Sequence, residues 1–346
     1  MISIPSTSIL LFPGQGSQFV GMAKKLLYLP KVKEMFEYAG SILRTNLMKK
    51  CTEGPLEELT KTVHCQPAIY ITSLAAAFKL RTEDPKLVEN CVAVAGFSSG
   101  EIAALVFAGS LTFEEGLSLI QTRSQAMQSA STRVSGGMAS IFLSHSSQLS
   151  SAITAAKSHY LSLSRKQTNQ SVESSSRYGD LDDFGTDSFE PQCVCQTACY
   201  LYADCKVIAG HIEVALDFIE AHLEQFRLVR MKHLPVSGAF HTPLMAPARL
   251  VFTRALDRVP GIKMPSIPVL SNVDALPYTS VSKIKVNLSK QITTAVRWEQ
   301  ILHSLYSRPL DASFPRTIEV GPGRQLGSML RMVNRKAFMN YHSIEV

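Results

Sequence analysis

Cys91-Val92-Ala93-Val94-Ala95-Gly96-Phe97-Ser98-Ser99-Gly100-Glu101 decides the fold. Cys91–Ala95 reads as a short buried strand and Glu101–Ala108 as a helix, so the GxSxG string Gly96–Gly100 falls on a strand-to-helix turn. A turn this sharp leaves no room for a Cβ at its flanking positions. It lifts the Ser98 hydroxyl above the sheet edge and opens a helix N-terminus whose free N–H groups, that of Ser99 first, favour a developing oxyanion. Ser98 is therefore a candidate nucleophile on an α/β scaffold.

Outward from the elbow, apolar strands alternate with helical patterns. Ile9–Phe12 reads as a strand, Lys31–Leu43 and Gln66–Leu80 as helices, and Phe113–Ser129 as a helix started by the capping box Thr112/Glu115. This rhythm predicts a parallel sheet of α/β-hydrolase-like type. From Gly137 the order changes to strand (Met138–Leu143), helix (Ser150–His159), strands (Val194–Thr197, Lys206–Ala209), helix (Ile212–Leu223) and strand (Arg227–His233). That βαββαβ order is ferredoxin-like. We read a small subdomain, 134–235, inserted into a large one made of 1–133 and 236–346, with Pro243–Leu256 (helix), Val269–Leu270 and Thr317–Val320 (strands) returning to the large one. Within the insert, 161–191 is rich in Ser, Asp and Gln without an apolar period and reads as a disordered acidic loop.

The 346 residues are 45% hydrophobic and 18% charged, enough to bury a large core. No apolar run approaches the roughly 18 to 20 residues of a spanning helix. The seven cysteines lack CxxC pairs, so neither a structural zinc site nor a disulfide framework is read, and they are expected as free thiols in a reducing compartment. Ahead of Ile9 there is no positive n-region or Arg-rich amphipathic stretch, so no targeting peptide is visible. The net charge is +7. Arg165, Lys166 and Arg177 stand against Glu173, Asp180, Asp182, Asp183, Asp187 and Glu190, so the insert carries −3 and the remainder +10. General solubility and a basic face for an acidic or phosphorylated partner both fit that excess. No Lys/Arg cluster is interleaved with aromatics, which argues against nucleic acid.

A serine nucleophile needs a base. Among nine histidines, His241 sits in the small-residue loop Val236-Ser237-Gly238-Ala239-Phe240-His241-Thr242-Pro243 leading into a helix, where a ring can point at a sheet edge. A structural histidine is the alternative at that position. No Asp stands beside it, so a backbone carbonyl is the expected orienting group. Phe12-Pro13-Gly14-Gln15-Gly16-Ser17-Gln18 follows the first strand without the spacing or lysine of a P-loop; a Gly-flanked Gln15 can aim its side-chain N–H at an oxyanion, or the segment is a simple turn. Glu319-Val320-Gly321-Pro322-Gly323 ends a strand in a tight turn of structural character.

Together these residues resemble the malonyl-CoA:acyl carrier protein transacylase family over nearly the whole chain. The landmarks are Pro13–Gln18, Gln66-Pro67-Ala68, Gly96–Glu101, Arg123, Gly238–His241, Ser271-Asn272-Val273 and Glu319–Gly323. Val63–Ala68 and the Phe-containing elbow look most like animal mitochondrial members, and a mitochondrial location follows from that likeness alone. The resemblance implies Ser98 as the acylated nucleophile, His241 as base, Gln15 and the Ser99 N–H as oxyanion hole, and the Asn272 carbonyl orienting His241. It implies that Arg123 holds the malonyl carboxylate, a task suited to a bidentate guanidinium, with Gln66 and Phe240 in support and Phe240 leaving little room for an α-methyl group. It implies malonyl-CoA and acyl carrier protein as substrates, no cofactor or metal, and a monomer. Ser99 and Cys199 depart from many bacterial members, which carry Leu and Asn there. Two rivals stay open: a serine hydrolase or thioesterase, which predicts an Asp partner and an HGGG-like loop, and a non-catalytic carrier-binding homologue.

Overall fold

The strands Ser8–Phe12 and Cys91–Gly96 lie side by side and parallel, Leu11 opposite Ala95 and Phe12 opposite Gly96. The computed structural model describes residues 7–174, 193–309 and 312–346. Along them the strands are β1 (Ser8–Phe12), β2 (Cys91–Gly96), β3 (Gly136–Phe142), β4 (Cys195–Tyr202), β5 (Cys205–His211), β6 (Arg230–His233), β7 (Val269–Leu270), β8 (Arg316–Glu319) and β9 (Tyr341–Ser343). One sheet runs β7-β2-β1-β8-β9 with every pairing parallel, the mixed α/β architecture expected from the strand–helix rhythm. The other runs β4-β5-β3-β6, antiparallel throughout.

All five residues of β1 are buried, because a parallel strand is covered by helices on both faces. Helix Thr62–Glu83 is buried around most of its surface despite Pro67 near its start, and it packs against Phe113–Ser131. The second helix starts where the capping box puts it: Thr112 Oγ1 accepts from Glu115 N at 3.1 Å, and Glu115 Oε2 accepts from Thr112 N at 2.9 Å. That fixed start carries Arg123 to an inward position near mid-helix, 1% exposed.

β4 ties the antiparallel sheet to segments outside both sheets. Cys199 bridges Val296, Tyr200 N donates to Val296 O and Val296 N to Ala198 O, both at 2.9 Å, and Gln196 Nε2 donates to His241 O at 3.1 Å. Parallel strands leave their C-terminal ends free for a site, and the antiparallel sheet is held over those ends.

The expected loop at 161–191 differs in its first part: the helix beginning at Leu149 continues to Ser174. Adding a turn to an existing helix fixes one residue per hydrogen bond, without the cost of nucleation, so a polar segment lacking apolar period extends it. Residues 175–191 of that expectation lie outside the described residues. The region expected as helix Ile212–Leu223 divides into a π-type turn, Ile212–Leu216, and a short α-helix, Asp217–Ala221. All seven cysteines are free, Cys51, Cys65, Cys195, Cys199 and Cys205 being buried. Among the described residues no helix is long and apolar enough to cross a membrane.

Candidate active site

Ser98 has φ +52°, in the left-handed region that side chains avoid at a cost of about 1–2 kcal/mol. The flanking glycines make that conformation possible. A Cβ on Gly96 would stand 2.1 Å from the Gly100 carbonyl, and one on Gly100 would stand 2.3 Å from Phe12 O. The elbow is further held by Asn272, whose Oδ1 accepts from Ser98 N at 2.6 Å while its Nδ2 donates to Gly96 O at 2.7 Å.

Ser98 Oγ lies 2.9 Å from His241 Nε2. His241 also has a positive φ, +61°, and sits one residue ahead of Thr242, which caps the turn Pro243–Met245. Its Nδ1 lies 2.8 Å from the Gln291 carbonyl, an acceptor only, so the ring proton belongs on Nδ1 and Nε2 is the free base. A main-chain carbonyl does orient the ring, but it is that of Gln291. The Asn272 carbonyl, expected in that role, instead accepts from Arg297 N at 2.9 Å. The reason is topological: helix Val281–Gln291 ends beside His241, which leaves a terminal carbonyl free to accept. Burial, with the charge of Arg123 second, pushes the His241 ring down to about 4, so it is neutral at physiological pH.

Arg123 Nη2 donates to Ser98 Oγ at 3.0 Å and to Gln291 Oε1 at 2.8 Å, and Nη1 donates to Gln66 Oε1 at 2.8 Å. Gln66 and Gln291 thus hold a buried guanidinium with neutral oxygens. Burial lowers it to about 10, leaving it cationic.

Gln15 reaches the same cavity, but its side chain is engaged: Nε2 donates to Thr62 Oγ1 and Oε1 accepts from Gln66 Nε2, both at 3.3 Å. An oxyanion role for that side chain requires those weak bonds to open. Ser99 starts the helix, and its N–H has no protein acceptor among the described residues. The Ser99 hydroxyl is buried without a partner among the described residues. Phe240 is 5% exposed and forms part of the cavity wall.

The cavity holds about 220 Å³. Its floor is polar, formed by Ser98, His241, Gln15 and Gln66, and its walls are apolar, with Met138, Leu201 and Val207 from the antiparallel sheet and Met127 and Phe240 from the rest of the chain. Cys199 also lines it.

Gln291, Glu101 and Tyr278 had no assigned role in the sequence. Gln291 ends an amphipathic helix with nothing local to mark it. Glu101 did leave a signal: it is the lone charge of Gly100–Phe107, a helix otherwise apolar and buried on nearly every face.

A neutral imidazole within reach of a serine hydroxyl, beside free helix N–H groups, can carry acyl groups through an ester on Ser98. The hydrolase rival predicted a carboxylate on the histidine, and a carbonyl stands there instead.

The acyl transferase domain family model matches residues 9–186. A mitochondrial malonyl-CoA-acyl carrier protein transacylase from Mus musculus is 43% identical over 339 residues, covering 98% of this chain and 82% of its own. The malonyl CoA-acyl carrier protein transacylase structure from Coxiella burnetii superposes with a TM-score of 0.80 at 28% identity, covering 99% of this chain and 95% of that one. A malonyl-transacylase solved with its type II polyketide acyl carrier protein gives 0.78 at 25% identity, covering 98% and 95%. The elbow, the serine–histidine contact and these likenesses agree, and the chain belongs to the malonyl-CoA-acyl carrier protein transacylase family of acyl transferases.

Proposed function

We propose that this chain moves the malonyl group of malonyl-CoA to the phosphopantetheine thiol of an acyl carrier protein, through malonyl-Ser98, and supplies fatty acid synthesis in mitochondria. The observation that carries the choice of acyl group is Arg123: a buried cation held by neutral oxygens 3.0 Å from the nucleophile suits a donor that brings its own carboxylate. The mitochondrial name of the mouse relative supports the location, and the carrier-bound neighbour supports the partner.

In the first half-reaction His241 Nε2 takes the Ser98 proton as Oγ attacks the thioester carbonyl. The oxyanion is met by the Ser99 N–H and, once its bonds to Thr62 and Gln66 open, by the Gln15 side chain. Coenzyme A leaves as a thiol carrying the proton from His241, and Ser98 keeps the malonyl ester. In the second, the carrier thiol gives its proton to His241 and attacks the ester; collapse returns the proton to Ser98. The apolar walls limit access of water, which would otherwise make the enzyme a thioesterase. A second groove shares Ser140, Leu201, Gln325 and Met329 with the cavity and is rimmed by Arg331 and Arg335, a basic approach suited to phosphate-bearing thiols.

In this reading the antiparallel sheet is a ferredoxin-like subdomain, 134–235, inserted into an α/β-hydrolase-like body of 1–133 and 236–346, acting as a monomer without cofactor or metal. The test is transfer itself. Malonyl-CoA and holo acyl carrier protein should give malonyl-carrier and free coenzyme A in equal amounts, whereas coenzyme A release without carrier acylation contradicts the proposal.

A further inference from the structure

Behind the elbow lies a carboxylate that none of these steps uses. Glu101 is fully buried in the first turn of helix Gly100–Phe107, among core residues. An ionisable group so placed is costly unless its oxygens are well satisfied. Tyr278 Oη donates to Oε1 at 2.5 Å, Gln291 Nε2 donates to Oε2, and Asn272 N lies 3.3 Å from both oxygens.

These donors are also the groups that hold the site. Gln291 Nε2 donates as well to Ser98 O at 3.1 Å, its Oε1 receives Arg123, and its main-chain carbonyl receives His241. The Asn272 side chain brackets Ser98. Glu101 is thus bonded to both residues that fix the elbow, and through Gln291 it is one bond from Arg123.

A carboxylate accepts and does not donate, whereas an amide has a donor end and an acceptor end. With Glu101 on one side, Gln291 must turn Nε2 inward and leave Oε1 for Arg123 Nη2. The opposite orientation would set NH₂ against guanidinium, donor against donor. The Glu101 charge also acts on Arg123 through space and opposes the effect of burial on it.

We propose that Glu101 is a positioning residue for acyl-donor selection: by fixing the orientation of the Gln291 amide, it holds the Arg123 guanidinium beside Ser98 in the pose that receives a donor's free carboxylate. This rests on the reading of Arg123 as the carboxylate receptor. A purely structural role for Glu101 would weaken all donors alike, so the readout is a ratio.

The experiment measures kcat/KM for malonyl-CoA and acetyl-CoA at pH 8, where the buried Glu101 carboxyl is ionised, with one carrier protein, in the wild type and in Glu101→Gln, Tyr278→Phe, Gln291→Met and Arg123→Ala. A charge-assisted bidentate contact corresponds to roughly 10- to 100-fold in transfer. Glu101→Gln should therefore lower the malonyl-to-acetyl ratio by about tenfold or more. Gln291→Met, which keeps the carbonyl on His241 and removes only the amide, should do the same, and it decides the question if Glu101→Gln does not fold. Tyr278→Phe removes one donor and should shift the ratio in the same direction by less. If Arg123→Ala lowers the ratio while Glu101→Gln and Gln291→Met lower both donors equally, the positioning role is overturned and the reading of Arg123 stands. If Arg123→Ala leaves the ratio unchanged, the carboxylate reading itself fails and this inference falls with it.

Discussion

The floor and the walls of the acyl cavity are built on different physical terms. The floor, with Ser98, His241, Gln15 and Gln66, rests on a buried polar layer that includes Arg123 and Gln291, and these residues have named hydrogen-bond partners, most of them on other elements. Low surroundings polarity makes each of those bonds strong and each missing one costly, so few arrangements are possible. The walls, with Met138, Leu201, Val207 and Phe240, have only to fill space and exclude water, and many apolar side chains would serve. Changes on the floor should act on chemistry, and changes on the walls on which acyl groups fit.

The largest effect belongs to the base. His241→Ala should lower carrier malonylation by about 10³-fold or more, measured as kcat/KM at saturating carrier. A loss of only a few-fold would remove the distinction between floor and wall.

Next is the titration of the same ring. It is held at about 4 in the fold against 6.5 ordinarily. Between those values the unfolded chain binds a proton that the folded chain does not. The ring's contribution to stability is therefore level above pH 6.5 and falls as the pH drops through the window, by about 2 kcal/mol at pH 5. Denaturant unfolding at pH 7.5 and pH 5 should show the wild type losing more than His241→Gln. Glu101, raised to about 7 by burial, acts in the opposite sense: it disfavours the fold as pH rises from 4.5 to 7. Because both proteins retain Glu101, the comparison between them isolates the histidine. Equal losses in the two proteins would contradict a neutral buried ring.

On the wall, Phe240→Ala should change malonyl transfer by less than about tenfold while admitting an α-methyl group, so that methylmalonyl-CoA gains relative to malonyl-CoA. No gain would mean that the ring does not bound the acyl site.

The smallest effect concerns Ser99. Its main chain serves the elbow, but its hydroxyl is buried without a partner among the described residues. Ser99→Ala should keep activity and raise stability by about 1 kcal/mol in chemical denaturation, because an unsatisfied hydroxyl is removed.

The same contrast explains what could be read before the fold was known. The elbow, the Thr112/Glu115 cap and the strand–helix rhythm are local, and their residues lie a few positions apart. His241 was legible as a loop position, and the need for a carbonyl behind it followed from the missing Asp. Which carbonyl it is depends on where helix Val281–Gln291 ends in space, 50 residues along the chain from His241. Glu101 and Gln291 are 190 residues apart, and no periodicity links them. The helix through Ser174 was missed for another reason, since apolar spacing reports burial and a polar helical extension has none to report. Local geometry was thus written in the sequence, while the long-range hydrogen bonds that tune the floor emerged only from the packing of distant segments.

The central claim is that Ser98 carries the acyl group between two thiols. Malonyl-CoA added without carrier protein should give, by intact mass and peptide mapping, one malonyl ester per chain located on Ser98. That ester should disappear on addition of holo acyl carrier protein as malonyl-carrier forms, and Ser98→Ala should not acquire it. An adduct that maps to another residue, or that persists in Ser98→Ala, contradicts the account.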